Sequence, residues 1–272
     1  AFNEDGELFT YDSDMEWDIG APWYRTPRLL HLVSGGEFGW RSGSAKWPID
    51  SPDARPAVLE LDAGSPTGVA SGHLSSWPEP WRSRMYLADW AFGRVLSVEL
   101  IPEGASYTGR VDETPFILGR PFNVSDLAFG PEGDLFLIIG GRGSQSGLYR
   151  VSWVGDANEE KAPRSDGTLR AERRRIEHSH RDATALSKEE LLQAMAHDDL
   201  AVRYAARIGL ERKLLEGDAE WFSAAYEGQW ELAAAGLRPV TVHSVALSDG
   251  VGAAELLVPH HHSGGLDDPG GR

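Results

Sequence analysis

The chain of 272 residues contains no cysteine. That absence excludes disulfides, Cys-ligated zinc, a thiol nucleophile and covalent haem attachment through CxxCH. No run approaches the roughly 18 uninterrupted apolar residues that a membrane span needs. Positive charge is scarce, with 26 Lys+Arg against 42 Asp+Glu and a formal net charge of -16. A field of that sign repels phosphate backbones and anionic lipid heads, which argues against nucleic acid as a partner. The scarcity is sharpest at the start, where the first 20 residues hold seven acids and neither Lys nor Arg. Lys46 is the only lysine among the first 155 residues. An initiating Met and a basic-then-apolar leader are also missing, so the chain reads as a fragment of a longer protein, with no signal peptide of its own.

What is present divides into two grammars. Residues 1-155 carry 8 of the 10 Trp, many Gly and Pro, and short alternating apolar runs, which is how an all-β unit reads. Residues 156-185 are polar and read as a linker and lead-in. Residues 186-236 read as helical. Ser187-Lys188-Glu189-Glu190 is a capping box ahead of Leu191, Leu192 and Met195. A second helix is expected from Asp199, with Val202, Ala205, Ala206, Ile208 and Leu210 at helical spacing and Leu192 buried against Ile208. A third is expected from Asp218, carrying Trp221, Phe222, Tyr226 and Trp230. Residues 237-272, with His260-His261-His262, read as an irregular or disordered tail.

The β part repeats itself. Asn3-Glu4-Asp5-Gly6-Glu7-Leu8-Phe9 and Gly130-Pro131-Glu132-Gly133-Asp134-Leu135-Phe136 are one device, an acidic Gly turn feeding a strand, and Arg84-Met85-Tyr86-Leu87 begins an equivalent strand between them. Tyr86 and Phe136 are 50 residues apart, a four-stranded propeller blade, whereas Phe9 and Tyr86 are 77 apart, leaving an insertion in the first blade. The fold class expected is therefore mainly β with an α-helical C-terminal part: a partial β-propeller of about three blades, open because four to eight are needed to close a ring.

Particular residues also resemble a known family. Phe9-Thr10-Tyr11-Asp12-Ser13-Asp14-Met15-Glu16-Trp17-Asp18, Ser34-Gly35-Gly36-Glu37-Phe38-Gly39-Trp40-Arg41-Ser42-Gly43 and Gly140-Gly141-Arg142-Gly143-Ser144-Gln145-Ser146-Gly147-Leu148-Tyr149 resemble bacterial membrane-bound dehydrogenase-domain proteins. In these an exported propeller, similar to quinoprotein glucose/sorbosone dehydrogenases, is followed by HEAT-like helices and often by a haem domain. The resemblance implies a periplasmic or otherwise exported parent that oxidises a sugar or polyol with PQQ and Ca²⁺, passing electrons to a haem domain or cytochrome. It also implies that the family's general base and several cofactor contacts lie on blades that would precede Ala1, leaving this fragment inactive alone. The alternative is a non-catalytic propeller that binds glycan or protein through Trp17, Trp23, Trp47 and Trp81.

Asp12, Asp14, Glu16 and Asp18 recur at spacing two, so an extended segment would project hard oxygen ligands to one side for Ca²⁺, with Tyr11 and nearby carbonyls as supplements. The opposing reading pairs these acids with Arg25, Arg28 and Arg41, or leaves them in water. His31, on an alternating strand, is the candidate catalytic base, although a histidine in such a place is more often structural. Arg41, Lys46 and Arg142 are the candidate cofactor-binding cations, against the plainer reading of structural salt bridges. Gly140-Gly141-Arg142-Gly143 is expected to be a tight inter-strand loop, because no helix N-terminus follows it to hold phosphate.

Overall fold

The computed structural model describes residues 1–40, 54–156 and 167–215. It is mostly β, with three antiparallel sheets and three helices among the described residues. The first sheet orders β1 (Leu8–Asp12), β2 (Arg28–Leu32) and β3 (Leu59–Glu60). In the second, β4 (Pro66–Ser71), β5 (Arg84–Asp89), β6 (Arg94–Glu103) and β7 (Ser106–Val111) follow in sequence, with β8 (Ile117–Leu118) also on β6. The third places β9 (Val124–Phe129), β10 (Leu135–Gly141) and β11 (Ser144–Val151) side by side.

The acidic Gly turns share one hydrogen-bond pattern. Asn3 N–H donates to Glu7 O and Gly6 N–H to Asn3 O, as Gly130 N–H donates to Asp134 O and Gly133 N–H to Gly130 O. Gly6 and Gly133 have φ of 76° and 84°, the left-handed region that glycine enters without a Cβ clash. Ala1 and Phe9 exchange two backbone hydrogen bonds of 2.9 Å, so the first residues lie along β1 as β9 lies along β10.

The same strand alternation organises sheet stacking. Phe9 and Tyr11 of β1 share a core with Met85, Leu87, Leu96 and Val98 of the second sheet. Tyr86 and Ala88, the opposite face of β5, share the next core with Val124, Leu127, Leu135 and Leu137 of the third. Each sheet thus turns one face back and the next face forward, as period-two strands allow. β4 and β9 make the close approach, where Thr67 Oγ1 donates to Val124 O at 2.7 Å. A Cβ on Gly68 would come within 2.8 Å of Asp126 Oδ1, so glycine permits that contact.

Three helices follow, α1 (Thr168–His178), α2 (Lys188–Met195) and α3 (Leu200–Leu215), and none is long and apolar enough to cross a membrane. The capping box of α2 is formed, with Glu190 N–H donating to Ser187 Oγ at 3.2 Å and Ser187 N–H to Glu190 Oε2 at 2.8 Å. Ile176, Leu191, Met195, Val202, Ala206 and Leu210 form the helical core. Burying one such large aliphatic side chain stabilises by about 1.5–3 kcal/mol.

Two expectations change here. The polar stretch read as linker contains α1, whose Arg170 and Arg173 are polar in composition yet buried in ion pairs. Leu191, not Leu192, is the fully buried residue of α2, and Ile208 turns instead toward Gly35, where an added Cβ would sit 2.7 Å from its Cγ2. The helix expected from Asp218, the tail from 237 and its histidines lie outside the described residues.

Candidate functional site

The two ends of the sheets differ. At one end lie the β1–β2 loop, the β5–β6 turn and the β10–β11 turn. Asp12 does not stand free there: Arg28 Nη2 donates to its Oδ2 at 2.7 Å and Trp40 Nε1 to its Oδ1 at 2.9 Å. Tyr24 hydroxyl donates to Asp14, and Trp23 Nε1 to Asp18 Oδ1 at 3.0 Å, while Glu16 is exposed in a 3₁₀ turn over Glu16–Asp18. Burial, with Asp14 alongside, pushes the Tyr24 hydroxyl up. Among the described residues no three acids or histidines gather as a metal-holding group. The four acids therefore do not converge, because the segment turns at Glu16–Asp18 instead of staying extended, so spacing two no longer means one side. Asp14 Oδ1 and Asp18 Oδ2 remain buried without a hydrogen-bond partner.

Beside this loop, buried Asp89 pairs with Arg94 Nε at 2.7 Å and accepts from the Ser65 and Ala91 amides. Burial, then Asp89, raises the Tyr11 hydroxyl above its usual range. Trp90 Nε1 donates to Gly140 O at 2.7 Å and ties the second sheet's turn to the third's. Arg142 occupies the tight β10–β11 turn with φ 49°, its guanidinium 5.1 Å from the Trp90 ring centroid. Trp17 is 88% exposed and Trp23 60%. Trp81, partly buried, packs on Phe116 and under Arg84. Arg41, Lys46 and Trp47 lie outside the described residues.

His31 is at the other end. It is 3% exposed, stacked on Phe9, with Nε2 2.9 Å from Glu7 Oε2 and Nδ1 2.9 Å from Ser106 Oγ. Burial lowers its pKa despite the Glu7 hydrogen bond, so the neutral ring donates from Nε2 and accepts the Ser106 hydroxyl at Nδ1. Both nitrogens are engaged, and the ring has no lone pair directed at a substrate.

Glu7 is the centre of that end. It accepts from Arg173 Nη2 at 2.5 Å and Arg174 Nη1 at 2.6 Å as well as from His31. Burial would raise its pKa, but His31 and Arg173 outweigh it and bring it down to about 2. Arg170 donates to Asp5 at 3.2 Å and lies over the Tyr107 ring, and Tyr107 hydroxyl donates to Asp5 at 2.9 Å. Asp199, capping α3 through the Ala201 and Val202 amides, also accepts from Ala105 N–H in the β6–β7 turn. The helices are thus docked by buried charge at the end away from Trp90 and Arg142. Sequence reading passed over Glu7, Arg170 and Arg173. The available signal was the run Arg173-Arg174-Arg175 in a strongly acidic chain that opens on unbalanced acids.

No protein-family model matches the chain, and no curated protein matches it. Solved structures similar to it include an oxidoreductase described as a glucose dehydrogenase from Thermus thermophilus (19% identity, TM-score 0.43, covering 54% of this chain and 42% of that one). Another is the PQQ-bound aldose sugar dehydrogenase from Streptomyces coelicolor (13% identity, TM-score 0.39, covering 55% and 40%). A third is the soluble aldose sugar dehydrogenase from Escherichia coli in its apo-form (12% identity, TM-score 0.32, covering 47% and 40%). The chain spans about two-fifths of the length of each.

Proposed function

We propose that this chain is part of a β-propeller of the PQQ-dependent sugar dehydrogenase type, and that the whole exported protein oxidises a sugar or polyol hydroxyl. The observation that carries the propeller is the stacking order: successive meander sheets, each packing its forward face on the next, with β4 and β9 adjacent. The substrate class rests on the family resemblance of the residue 9–18, 34–43 and 140–149 segments. α2 and α3 would belong to a HEAT-like segment spacing the propeller from an electron-accepting haem domain or cytochrome.

PQQ, when bound, would supply the two-electron acceptor. A flat, anionic quinone suits the pairing of Arg142 with the Trp90 face. Arg142 is the single proposed contact among the described residues, so the fit is partial and no step is derived through the quinone. The chain alone is proposed to be inactive. A base must reach the substrate hydroxyl at about 2.6–3.2 Å, and His31 is held at the opposite end by Glu7 and Ser106.

The test is a tryptophan-fluorescence titration of the chain with PQQ in the presence of Ca²⁺, alongside dye reduction over a panel of aldoses and polyols. Saturable quenching that weakens several-fold in Arg142→Ala, with no turnover, is expected. Saturable quenching that Arg142→Ala leaves unchanged would overturn Arg142 as a cofactor contact. Turnover that disappears in His31→Ala would overturn the inactivity.

A further inference from the structure

Residues 33–40 connect the two ends of the first sheet. β2 runs from Arg28, opposite Asp12 at the root of the β1–β2 loop, to Leu32, opposite Leu8. The chain then turns, with Gly36 N–H donating to Val33 O, and returns toward Arg28, a path of about 13 Å at roughly 3.3 Å per residue. Among the described residues this segment joins no strand. Side chains hold both of its ends instead. At the helix end, Tyr204 hydroxyl accepts from Glu37 N–H at 3.0 Å and donates to Gly35 O at 3.2 Å. Ser34 hydroxyl donates to His180 Nδ1 at 2.8 Å, since Nε2 of the same ring donates to Ala205 O. Ile208 lies against Gly35. At the loop end, Arg28 Nη2 bridges Phe38 O at 2.9 Å and Asp12 Oδ2 at 2.7 Å, and Trp40 Nε1 donates to Asp12 Oδ1 at 2.9 Å. Glu37 stiffens the middle, its side chain accepting from Gly39 N–H and its carbonyl from Arg55 N–H, both at 2.6 Å.

We propose that residues 33–40 are a strap through which docking of the helices holds the β1–β2 loop closed. With the helices in place, Gly35 and Glu37 are pinned by Tyr204, the short return path leaves no slack, and Trp40 is kept on Asp12. When the helices move away the strap loosens, Asp12 loses the Trp40 hydrogen bond, and the loop opens at the opposite end of the sheet. Such coupling needs a contiguous element with two arrangements. The strap qualifies because its grip on the helices is polar. The helical core draws its buried members from residues 176–210 and from Ala105, with none from the first sheet or the strap. Hydrogen bonds are each worth little net, so this contact opens well before either core does. The coupling does not depend on whether the loop's end of the sheets holds a quinone.

The loop's own amides report its closure. Asp18, Ala21 and Tyr24 N–H donate to Met15 O, Asp18 O and Ala21 O at 2.9, 2.8 and 3.0 Å. Tyr204→Phe removes only the hydroxyl that grips the strap, at the end remote from the loop. Hydrogen exchange followed by NMR on the whole chain is expected to show these three amides exchanging about fivefold faster or more in Tyr204→Phe, the scale of losing such hydrogen bonds. Trp40→Phe removes the strap's direct bond to Asp12 and should speed the same amides by itself. Adding Tyr204→Phe to it should then change them by less than about twofold, because both substitutions act through one element. Leu137→Ala, a buried truncation in the third sheet, lowers stability without touching the strap and should leave them near their unsubstituted rates. Loop amides unchanged in Tyr204→Phe overturn the proposal. Effects of Tyr204→Phe and Trp40→Phe that multiply in the double variant overturn it too, since they would then be independent, as does equal acceleration by Leu137→Ala.

Discussion

Glu7→Leu is expected to destabilise the protein by about 3–5 kcal/mol, the range for breaking a buried ion pair from one side. Leucine approximates the volume but accepts none of the three hydrogen bonds now made by His31, Arg173 and Arg174. Arg173, whose side chain is almost wholly buried, would keep only Glu177 at 3.3 Å. Tm should fall on the order of 10 °C. Because α1 is the element held by Glu7, amides of residues 168–178 should exchange faster before those of β5 and β10. Arg174→Met is the contrast, since that side chain is half exposed and its loss costs about 1 kcal/mol or less. Replacing Glu7, His31, Arg173 and Glu177 together by Leu, Leu, Met and Leu should recover much of the loss, because neither end of the Glu7–Arg173–Glu177 chain is then left buried alone. Urea unfolding of the set measures this. A Glu7→Leu effect below about 1 kcal/mol, with exchange in α1 unchanged, would show that the helices are docked by something else.

Stability should fall on acidification in two limbs from the same cluster. His31 is held below its ordinary pKa by burial, facing Glu7 and Ser106, between Phe9 and Tyr107, with Arg173 and Arg55 nearby. The unfolded chain therefore binds a proton near pH 6.5 that the folded chain refuses, and stability drops as pH falls below that point. Glu7, drawn down to about 2, supplies stability that is present above its unfolded value of 4.5 and lost as pH falls from there toward 2. The Glu7 limb is worth on the order of 3 kcal/mol. His31→Gln should shrink the first limb, to which His73 and His180, also lowered by burial, contribute as well, and should shrink the second too, since the His31 hydrogen bond is the largest influence drawing Glu7 down. Denaturant midpoints measured from about pH 7 to about pH 3 decide it, and stability that rises between roughly pH 6.5 and pH 5 would mean that His31 is charged in the fold.

Features set by local rules were legible in the sequence. The two acidic Gly turns, the capping box at Ser187, the helix beginning after Asp199 and the tight turn at Arg142 each depend on residues within a few positions of one another. The alternation that sends Phe9, Tyr86 and Phe136 to one side of their strands is equally local, since successive side chains on a strand must oppose. Asp12 through Asp18 show where that logic stops: alternate spacing places ligands together only on extended chain, and the 3₁₀ turn at Glu16 breaks it. Which partners the buried groups take at the end where the helices dock was decided by tertiary structure. Glu7 meets Arg173 across 166 residues, and His31 meets Ser106 across 75. Composition marks such arginines as solvated linker, because it reports polarity and says nothing of the charge that folding brings opposite, whereas a histidine on an alternating strand already reads as more often structural than catalytic. The physical reason is that burying a charge is tolerable only when its counter-charge is fixed within hydrogen-bond reach, and that proximity exists only once the helices lie on the end of the sheets.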